Sequence, residues 1–379
     1  MTARQFVHFN NAGAGLMPQA VTDAMTECVR REAAHGSYET ELHYDKILQE
    51  GVYQRLATLL GAPARDIALF DSATRAWCSV AGRLRLGATD RVWVTPFEYA
   101  GNLISLFELR DRTGCRIEVV PLRPDGELDL DWMSANISDD VALVSVTHVP
   151  SGCGIVNPVA EIGRILAPYR CVYALDACQS VGQLRVDVAE IGCQLLTGAG
   201  RKFLRGPRGT GFAYVAPELR ASLTSDFHDL HVARVSSPTG YTVEDDSARA
   251  LELAERTTAA VLGLHAALGH HESAPVAEQQ PVAEALRATL AELPGVELIA
   301  PGSTQSGITA FRHRTLSAQD IFHGLGTRGI NVWQIRGDHT PLYLTERGVD
   351  QAVRASVHYY NTVDEVAVVG RALRDLIGS

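Results

Sequence analysis

The chain has 379 residues, of which 46% are hydrophobic and 21% charged, a composition typical of a globular protein with room for two domains. Its formal net charge of -10 argues against nucleic acid or an anionic membrane as the main partner. The sequence contains no apolar run long enough for a membrane span, and its first residues lack the apolar core of a signal peptide. We therefore expect a cytoplasmic protein.

Seven cysteines are scattered along the chain, at positions 28, 78, 115, 153, 171, 178 and 193. Their odd number and irregular spacing predict reduced thiols rather than a disulfide framework. No CxxC pair or HExxH motif is present, so no metal site is expected.

Lysine is unusually rare in this chain. Of 34 basic Lys and Arg residues, only Lys46 and Lys202 are lysines. A surface lysine can be replaced by arginine at little cost, but a reacting lysine cannot, because a guanidinium stays protonated. Lys46 lies in the polar, helix-like segment ELHYDKILQE, which favours a surface position. Lys202 is therefore the better candidate for a chemical role.

The first half of the chain begins with an Asn- and Gly-rich arm, followed by helices predicted from Pro18 onward and over 42–60. Short apolar runs then alternate with helical segments predicted over 74–86, 99–112 and 159–166. The runs are IALF, RVWVTP, RIEVVPL, VALVSVTHV, VYALDA, QLLTG and GFAYVA. This alternation predicts an α/β domain with a mainly parallel sheet, which binds ligands at the carboxyl ends of its strands.

The pattern changes near Tyr241. We predict one long helix over 245–269, a loop over 236–240, helices over 281–293 and 364–377, and strands around 307–312, 330–335 and 355–360. The expected organisation is an arm of residues 1–19 that joins the small domain, a large domain of residues 20–245, and a smaller α+β domain of residues 246–379.

Lys202 lies in the segment GAGRKFLRGPRGTG, where glycines allow close approach of a ligand to the backbone. Arg201, Arg205 and Arg208 supply positive charge suited to a phosphate. The segment matches neither a Walker loop nor a dinucleotide fingerprint. Taken alone, it is equally consistent with a glycine-rich surface loop.

Two further segments could complete a site with Lys202. Asp176 ends the apolar run VYALDA and could hold the protonated ring nitrogen of a cofactor, with Gln179 near a ring oxygen. The alternative is a buried helix cap. Ser72 and Thr74 in DSATRAW open a predicted helix whose amides suit a phosphate, although an ordinary N-cap has the same pattern.

Five segments together resemble the pyridoxal-phosphate (PLP) enzymes of the class V aminotransferase fold, a branch of PLP fold type I. They are NNAGAGLMP, THVPSGCGIVNP, DACQ, GAGRKFLRGPRGTGF and RASVHYYNT. The resemblance runs from about residue 8 to 376. The branch includes cysteine desulfurases, isopenicillin N epimerase-like proteins and cysteine-conjugate C–S lyases.

The resemblance implies that Lys202 is the catalytic residue and holds PLP as a Schiff base, with Asp176 on the pyridine nitrogen and an aromatic face supplied by Tyr99. The implied cofactor-binding residues are Ser72, Ala73, Thr74, Tyr99, His148, Ser151, Asp176, Gln179, Arg201 and Lys202. Arg354 would bind the substrate α-carboxylate, and Asn10, Asn11 and Gly13 would lie near the substrate. The family also implies a homodimer with active sites at the interface and a small amino-acid substrate.

The chain departs from the desulfurases in one respect. Those enzymes carry a mobile catalytic cysteine in the small domain, whereas Cys193 is the last cysteine here. We interpret Cys153 and Cys178 as packing residues, so persulfide chemistry has no obvious acceptor.

The motifs also resemble lyases acting on hercynylcysteine sulfoxide and enzymes that process cysteine conjugates in lincosamide antibiotic biosynthesis. They favour β-elimination on an S-substituted cysteine, in secondary metabolism. An epimerase, a decarboxylation-dependent deaminase, an aminotransferase and a non-catalytic PLP-binding protein are the alternatives. Segment 331–345 either lines the substrate pocket, through Trp333, Arg336, Asp338 and His339, or forms a surface loop.

Overall fold

A computed structural model describes residues 6–223, 228, 230–244 and 246–378. The strands are β1 Val7–His8, β2 Ile67–Phe70, β3 Arg91–Val94, β4 Arg116–Val119, β5 Val141–Thr147, β6 Val172–Asp176, β7 Leu195–Ala199, β8 Gly211–Val215, β9 Ala233–Ser237, β10 Gly240–Val243, β11 Val296–Ile299, β12 Ile308–His313, β13 Ile330–Asn331, β14 Trp333–Arg336 and β15 Gln351–Ser356. The helices are α1 Gln19–His35, α2 Ser37–His43, α3 Val52–Leu60, α4 Ala73–Ala81, α5 Ala100–Thr113, α6 Leu130–Asn136, α7 Val159–Leu166, α8 Val188–Ile191, α9 Pro217–Ser222, α10 Thr258–His271, α11 Gln279–Ala291, α12 Ala318–Gly326 and α13 Val363–Ile377.

The central sheet has seven strands in the order β2-β8-β7-β6-β5-β3-β4. Strands β3 to β7 pair in parallel, and β8 runs antiparallel between β7 and β2. Apolar residues fill both faces of its inner strands, as expected where helices cover a parallel sheet on both sides. The predicted α/β fold with a mainly parallel sheet is confirmed, and each of the seven apolar runs forms a strand of this sheet.

The parallel arrangement collects polar strand ends at one edge of the central sheet. Thr147 at the end of β5 is paired with Asp176 at the end of β6, which is paired in turn with Thr197 on β7. Because β2 is antiparallel to β8, its carboxyl end reaches the same edge, where Ser72 caps α4. This edge is where a ligand site is expected.

Gly211 fixes the position of α4 relative to β8. A Cβ atom at Gly211 would lie 2.2 Å from the carbonyl carbon of Ser72, a distance at which no side chain fits. Glycine is thus required for the first turn of α4 to rest against the start of β8.

A second sheet has the antiparallel order β11-β12-β15-β14, and α11, α12 and α13 pack on it around a separate apolar cluster. The N-terminal arm is joined to this part of the molecule, since β1 pairs in parallel with β13 and Asn10 forms a bridge with Ser356. None of the helices in the described ranges is both long and apolar enough to cross a bilayer.

Several predicted elements differ in the structure. The strand predicted over 355–360 lies earlier in the chain, as β15, and the strand predicted over 330–335 is divided into β13 and β14. The helix predicted over 42–60 is divided, because α2 ends at His43 and a π-helical turn over Ile47–Gly51 precedes α3. The loop predicted over 236–240 is the tip of the β9–β10 hairpin. The prediction of one long helix over 245–269 is wrong over its first half, because α10 begins only at Thr258. Asp245, beside the predicted domain boundary, lies outside the described residues.

Glu252 explains why the long helix does not form. Its carboxylate is 4% exposed and accepts hydrogen bonds from the Leu69 amide at 2.8 Å, the Tyr53 hydroxyl at 2.8 Å and Arg256 at 2.9 Å. These bonds hold the chain in an extended form between a short 3₁₀ turn over Ala248–Leu251 and the start of α10 at Thr258. A buried ionic network has overridden helix propensity here.

Replacement of Glu252 by alanine should lower the free energy of unfolding by about 3 kcal/mol, because it removes the carboxylate paired with Arg256 and leaves the Leu69 amide and the Tyr53 hydroxyl without their acceptor. Urea denaturation measures the effect, and Glu255→Ala is the matched control, since Glu255 is exposed and three residues away. Equal stability of the two variants would contradict this account.

Candidate active site

A cavity of about 330 Å³ lies at the carboxyl edge of the central sheet, between that sheet and the second one. The central sheet and its loops contribute Ser72, Ala73, Thr74, Tyr99, Asn102, Thr147, Ser151, Asp176, Gln179, Arg201 and Lys202. The arm and the second sheet contribute Asn10, Gly13, Trp333, Arg336, His339 and Arg354. Most of the residues predicted from the sequence are thus brought together in one place.

Lys202 follows the end of β7 and lines the cavity. Burial lowers the pKa of its amine, and Arg201 and Arg354 lower it further, against the opposing effects of Cys178 and Asp176. A lowered pKa increases the fraction of free amine, which is the nucleophilic form. Lys202 is therefore suited to attack a carbonyl carbon.

The backbone around Lys202 is tightly held. The Gly15 amide donates to the Arg201 carbonyl at 2.9 Å, and a Cβ atom at Gly15 would lie 2.7 Å from the Lys202 carbonyl oxygen. Arg205 adopts a left-handed conformation with φ of 62°, and its amide donates to the Lys202 carbonyl at 3.0 Å. The arm thus packs directly on the lysine loop.

Asp176 is 8% exposed and its two carboxylate oxygens are oriented by neighbours. The Cys178 amide donates to Oδ1 at 2.9 Å, and the Asn102 side-chain amide donates to Oδ2 at 3.0 Å. Both donors are neutral, so the carboxylate remains available to a cation or to a protonated ring nitrogen.

An anion site lies at the start of α4. The Ser72 hydroxyl caps the helix by accepting from the Arg75 amide at 3.2 Å, and the first amides of the helix adjoin the cavity. Arg201 lines the same cavity, and its Nε atom has no hydrogen-bond partner within the described chain. Arg208 adds a second guanidinium to the lining. Helix amides and guanidinium groups together suit a phosphate.

Arg354 on β15 forms a second anion site. It is 6% exposed, its Nη2 donates to Asn10 Oδ1 at 3.2 Å, and its Nε has no partner among the described residues. Burial, together with Arg201, lowers the pKa of Arg354 to about 10, so the group is still charged at neutral pH. A buried guanidinium with an unsatisfied donor calls for an anionic ligand such as a carboxylate.

Four of the predicted site residues lie outside the cavity lining: Asn11, His148, Arg205 and Asp338. Arg205 donates to the Leu16 carbonyl at 2.7 Å and its guanidinium lies over the Tyr360 ring, and Asp338 pairs with Arg336.

Asn11 is fully buried and donates to the Ser356 carbonyl at 2.7 Å and to Asn361 at 3.2 Å, so its amide anchors the arm, and its neighbour Asn10 lines the cavity instead. His148 is buried behind the lining, and burial lowers its pKa to about 4, whereas Ser151 three residues later reaches the cavity. The positions of Asn11 and His148 therefore argue against direct contacts of these two side chains with a ligand in the cavity.

Asn102 and Thr147 line the cavity but were not singled out from the sequence. Asn102 is one helical turn after Tyr99, and Thr147 is the last residue of β5. Helical spacing from Tyr99 could have indicated Asn102. Thr147 required the strand register, which places it opposite Asp176.

The lining fits PLP in charge and in chemistry. Arg201, Arg208, Arg336, Arg354 and the lysine outnumber the single carboxylate of Asp176, which suits a ligand with a phosphate and a substrate with a carboxylate. The unpartnered Nε atoms of Arg201 and Arg354 are donors that such groups would satisfy. No cluster of side chains suited to a metal ion occurs among the described residues.

Comparison with known proteins agrees with this chemistry. The class-V aminotransferase family model matches residues 7–369. A probable cysteine desulfurase of Methanothermobacter thermautotrophicus is 30% identical, with 99% of this chain and 96% of the relative covered. A cysteine desulfurase of Klebsiella pneumoniae is 28% identical, with 100% and 96% covered.

Solved structures share the fold. The apo structure of a cysteine desulfurase from Thermococcus onnurineus has a TM-score of 0.89 at 23% identity, covering 99% of this chain and 95% of that one. A cystine C–S lyase in complex with its product, cysteine persulfide, has a TM-score of 0.87 at 21% identity and 98% coverage of both chains. The match over nearly the whole length, together with the lysine, carboxylate and anion sites of the cavity, shows that the chain belongs to the class-V aminotransferase family of PLP-dependent enzymes.

Proposed function

We propose that this PLP-dependent enzyme is a lyase that cleaves the C–S bond of an S-substituted L-cysteine by β-elimination. The observation that carries the proposal is a cavity with the amine, carboxylate and arginine groups of an amino-acid PLP enzyme, in which Cys178 is the one thiol of the described lining. The relatives named cysteine desulfurase and the structural neighbour named cystine C–S lyase support cleavage of a carbon–sulfur bond.

When bound, PLP supplies an electron sink that acidifies the Cα–H bond of an amino acid. Lys202 would attach the cofactor through Nζ, and its free amine would accept the Cα proton of the substrate. Asp176 would hold the protonated ring nitrogen, and the Asn102 amide, which donates to Asp176 at 3.0 Å, keeps the carboxylate in place. Ser72 and Arg201 would bind the phosphate, and Tyr99, which is 43% exposed at the start of α5, would contact the ring.

Arg354 binds the α-carboxylate of the substrate. Trp333, its cross-strand partner on β14, lines the cavity together with Arg336 and His339, and the sulfur substituent would lie against these residues. Arg336 is also paired with Asp338. A polar or charged substituent on sulfur fits this part of the lining better than a plain alkyl chain.

The thiols argue for elimination over transfer of sulfur to the enzyme. Cys178 lines the cavity, but burial raises the pKa of its thiol, and the charge of Asp176 raises it further. Cys153 is fully buried and burial raises the pKa of its thiol to about 12. Both thiols stay protonated at neutral pH and are poor nucleophiles. The sulfur would leave as a free thiol or thiolate.

A homodimer with active sites at its interface is part of the proposal, as the family resemblance implies. The exposed apolar side chains of Val235, Tyr241 and Val243 on the β9–β10 hairpin are consistent with a covered surface. A role in secondary metabolism is likewise proposed from the resemblance alone.

Lys202→Ala should abolish covalent attachment of PLP, whereas Lys46→Ala should leave it unchanged. Lys46 is the matched control because it is the one other lysine and is exposed. Borohydride reduction of the yellow protein followed by peptide mass mapping should place the cofactor on the peptide containing Lys202. Attachment at Lys46, or a parent protein that PLP cannot reconstitute, would refute the assignment.

Incubation with S-substituted L-cysteines should release pyruvate and a free thiol in equal amounts. L-cysteine itself is the comparison substrate, because desulfuration of cysteine is the second candidate suggested by the relatives' names. Alanine with enzyme-bound sulfur would favour a desulfurase. Scrambled Cα stereochemistry would favour an epimerase, released carbon dioxide a decarboxylation-dependent deaminase, and a keto acid with aminated cofactor an aminotransferase.

Cys178→Ala should retain within about threefold of the parent kcat for elimination, since the thiol takes no part in the reaction and Ala preserves a small side chain at the cavity wall. Cys153→Ala should behave in the same way. Arg354→Gln should instead raise KM by about tenfold or more, because it removes a charged hydrogen bond to the substrate carboxylate. Loss of turnover in Cys178→Ala with intact PLP binding would point to a persulfide mechanism.

A further inference from the structure

Glu98 is a buried carboxyl group to which the reaction proposed above gives no task. It follows β3, is 0% exposed, and does not reach the cavity lining. The Thr147 hydroxyl lies 2.9 Å from Oε1 and the Asn102 amide nitrogen 3.4 Å from Oε2. Both neighbours are uncharged, so the burial of this carboxyl is not compensated by a cation.

Asn102 connects Glu98 to the cofactor site. Its side-chain nitrogen lies 3.0 Å from Asp176 Oδ2 and 3.4 Å from Glu98 Oε2. An amide nitrogen has two hydrogens, and an ionised carboxylate can only accept. The amide is therefore oriented with one hydrogen toward Asp176 and the other toward Glu98, because its oxygen in that place would face the acceptor oxygen of Asp176.

Two carboxylates cannot both ionise cheaply in a buried site. Burial raises the pKa of Glu98 to about 8, and the charge of Asp176 is the next cause. Among the neighbouring elements, β6 presents Asp176, whereas β5 and α5 present the uncharged Thr147 and Asn102. Glu98 is therefore the acid that keeps its proton at neutral pH.

We propose that Glu98 is a positioning residue that acts on Asp176 through Asn102. As a neutral acid it holds the Asn102 amide in the orientation that donates to Asp176, without adding a second charge behind it. An ionised group in its place would compete with Asp176 for the amide and for the ring proton. The inference rests on the proposed contact of Asp176 with the ring nitrogen, and it is independent of which reaction follows.

The raised pKa of Glu98 makes the folding stability of the chain depend on pH. The pKa of Glu98 is raised in the folded chain, so folding retains a proton that the unfolded chain loses above its ordinary pKa. The stabilisation from this proton is complete at low pH and is lost as pH rises toward about 8. The Glu98→Gln variant has no titrating group at this position, so its folding stability does not fall in this pH range.

The test uses the full-length chain with and without PLP, comparing Glu98→Gln with Glu98→Ala. Glu108→Gln on the exposed side of α5 is the matched control. Without PLP, the denaturation midpoint of Glu98→Gln should rise relative to the parent between pH 6 and 8 and then level off. The infrared band of a protonated carboxyl should be present in the parent at pH 7, disappear as pH rises through about 8, and be absent from Glu98→Gln.

PLP binding supplies the functional readout. Glu98→Gln should bind PLP within about threefold of the parent at pH 7, whereas Glu98→Ala should weaken binding by about tenfold, since the Asn102 amide loses an acceptor. Asp176→Asn should shift the disappearance of the infrared band to lower pH, because it removes the neighbouring charge. A parent protein without the protonated-carboxyl band at pH 7, or full PLP affinity in Glu98→Ala, would overturn the proposal. A failed lyase assay with these results intact would refute only the proposed reaction.

Discussion

The register of β5, β6 and β7 is the constraint on which the active site depends. It aligns Thr147, Asp176 and Thr197 across three neighbouring strands, all at the carboxyl edge. Polar residues at these positions would be costly inside the sheet, and they are tolerated at the edge because the cavity and its ligand can satisfy them. A slip of one residue in β6 would turn the Asp176 side chain to the opposite face and separate it from Asn102.

The charged groups of the cavity lie at separate places. Arg201 and, on β15, Arg354 each hold an unsatisfied donor, the Asp176 carboxylate lies in the same lining, and Glu98 is buried behind it. A ligand with a phosphate near Arg201 and a carboxylate near Arg354 satisfies both donors. The same guanidinium groups lower the pKa of Lys202 and so favour its uncharged, reactive amine. Binding and reactivity thus have a common electrostatic origin.

Sequence patterns were sufficient wherever local chemistry decides the outcome. The apolar runs that form the central sheet, the capped start of α4 and the isolated Lys202 were all recognisable from the sequence alone. The predictions were wrong where the local structure depends on contacts with residues far away in the sequence. Glu252 stops a helix because it is buried against Tyr53 and Leu69, far away in the chain. Asn11 and Asn10 are adjacent in sequence, and only the bridge to Ser356 determines which of them faces the cavity.

The scarcity of lysine has a practical consequence for the chemistry of the free cofactor. PLP is an aldehyde and condenses with any exposed amine, so lysine-rich proteins accumulate adventitious imines on their surfaces. Here the surface positive charge is carried by guanidinium groups, which do not react in this way at neutral pH, and Lys46 is the one exposed lysine side chain. With PLP at the proposed Lys202 site, cofactor colour on this protein would therefore carry little background from other lysines.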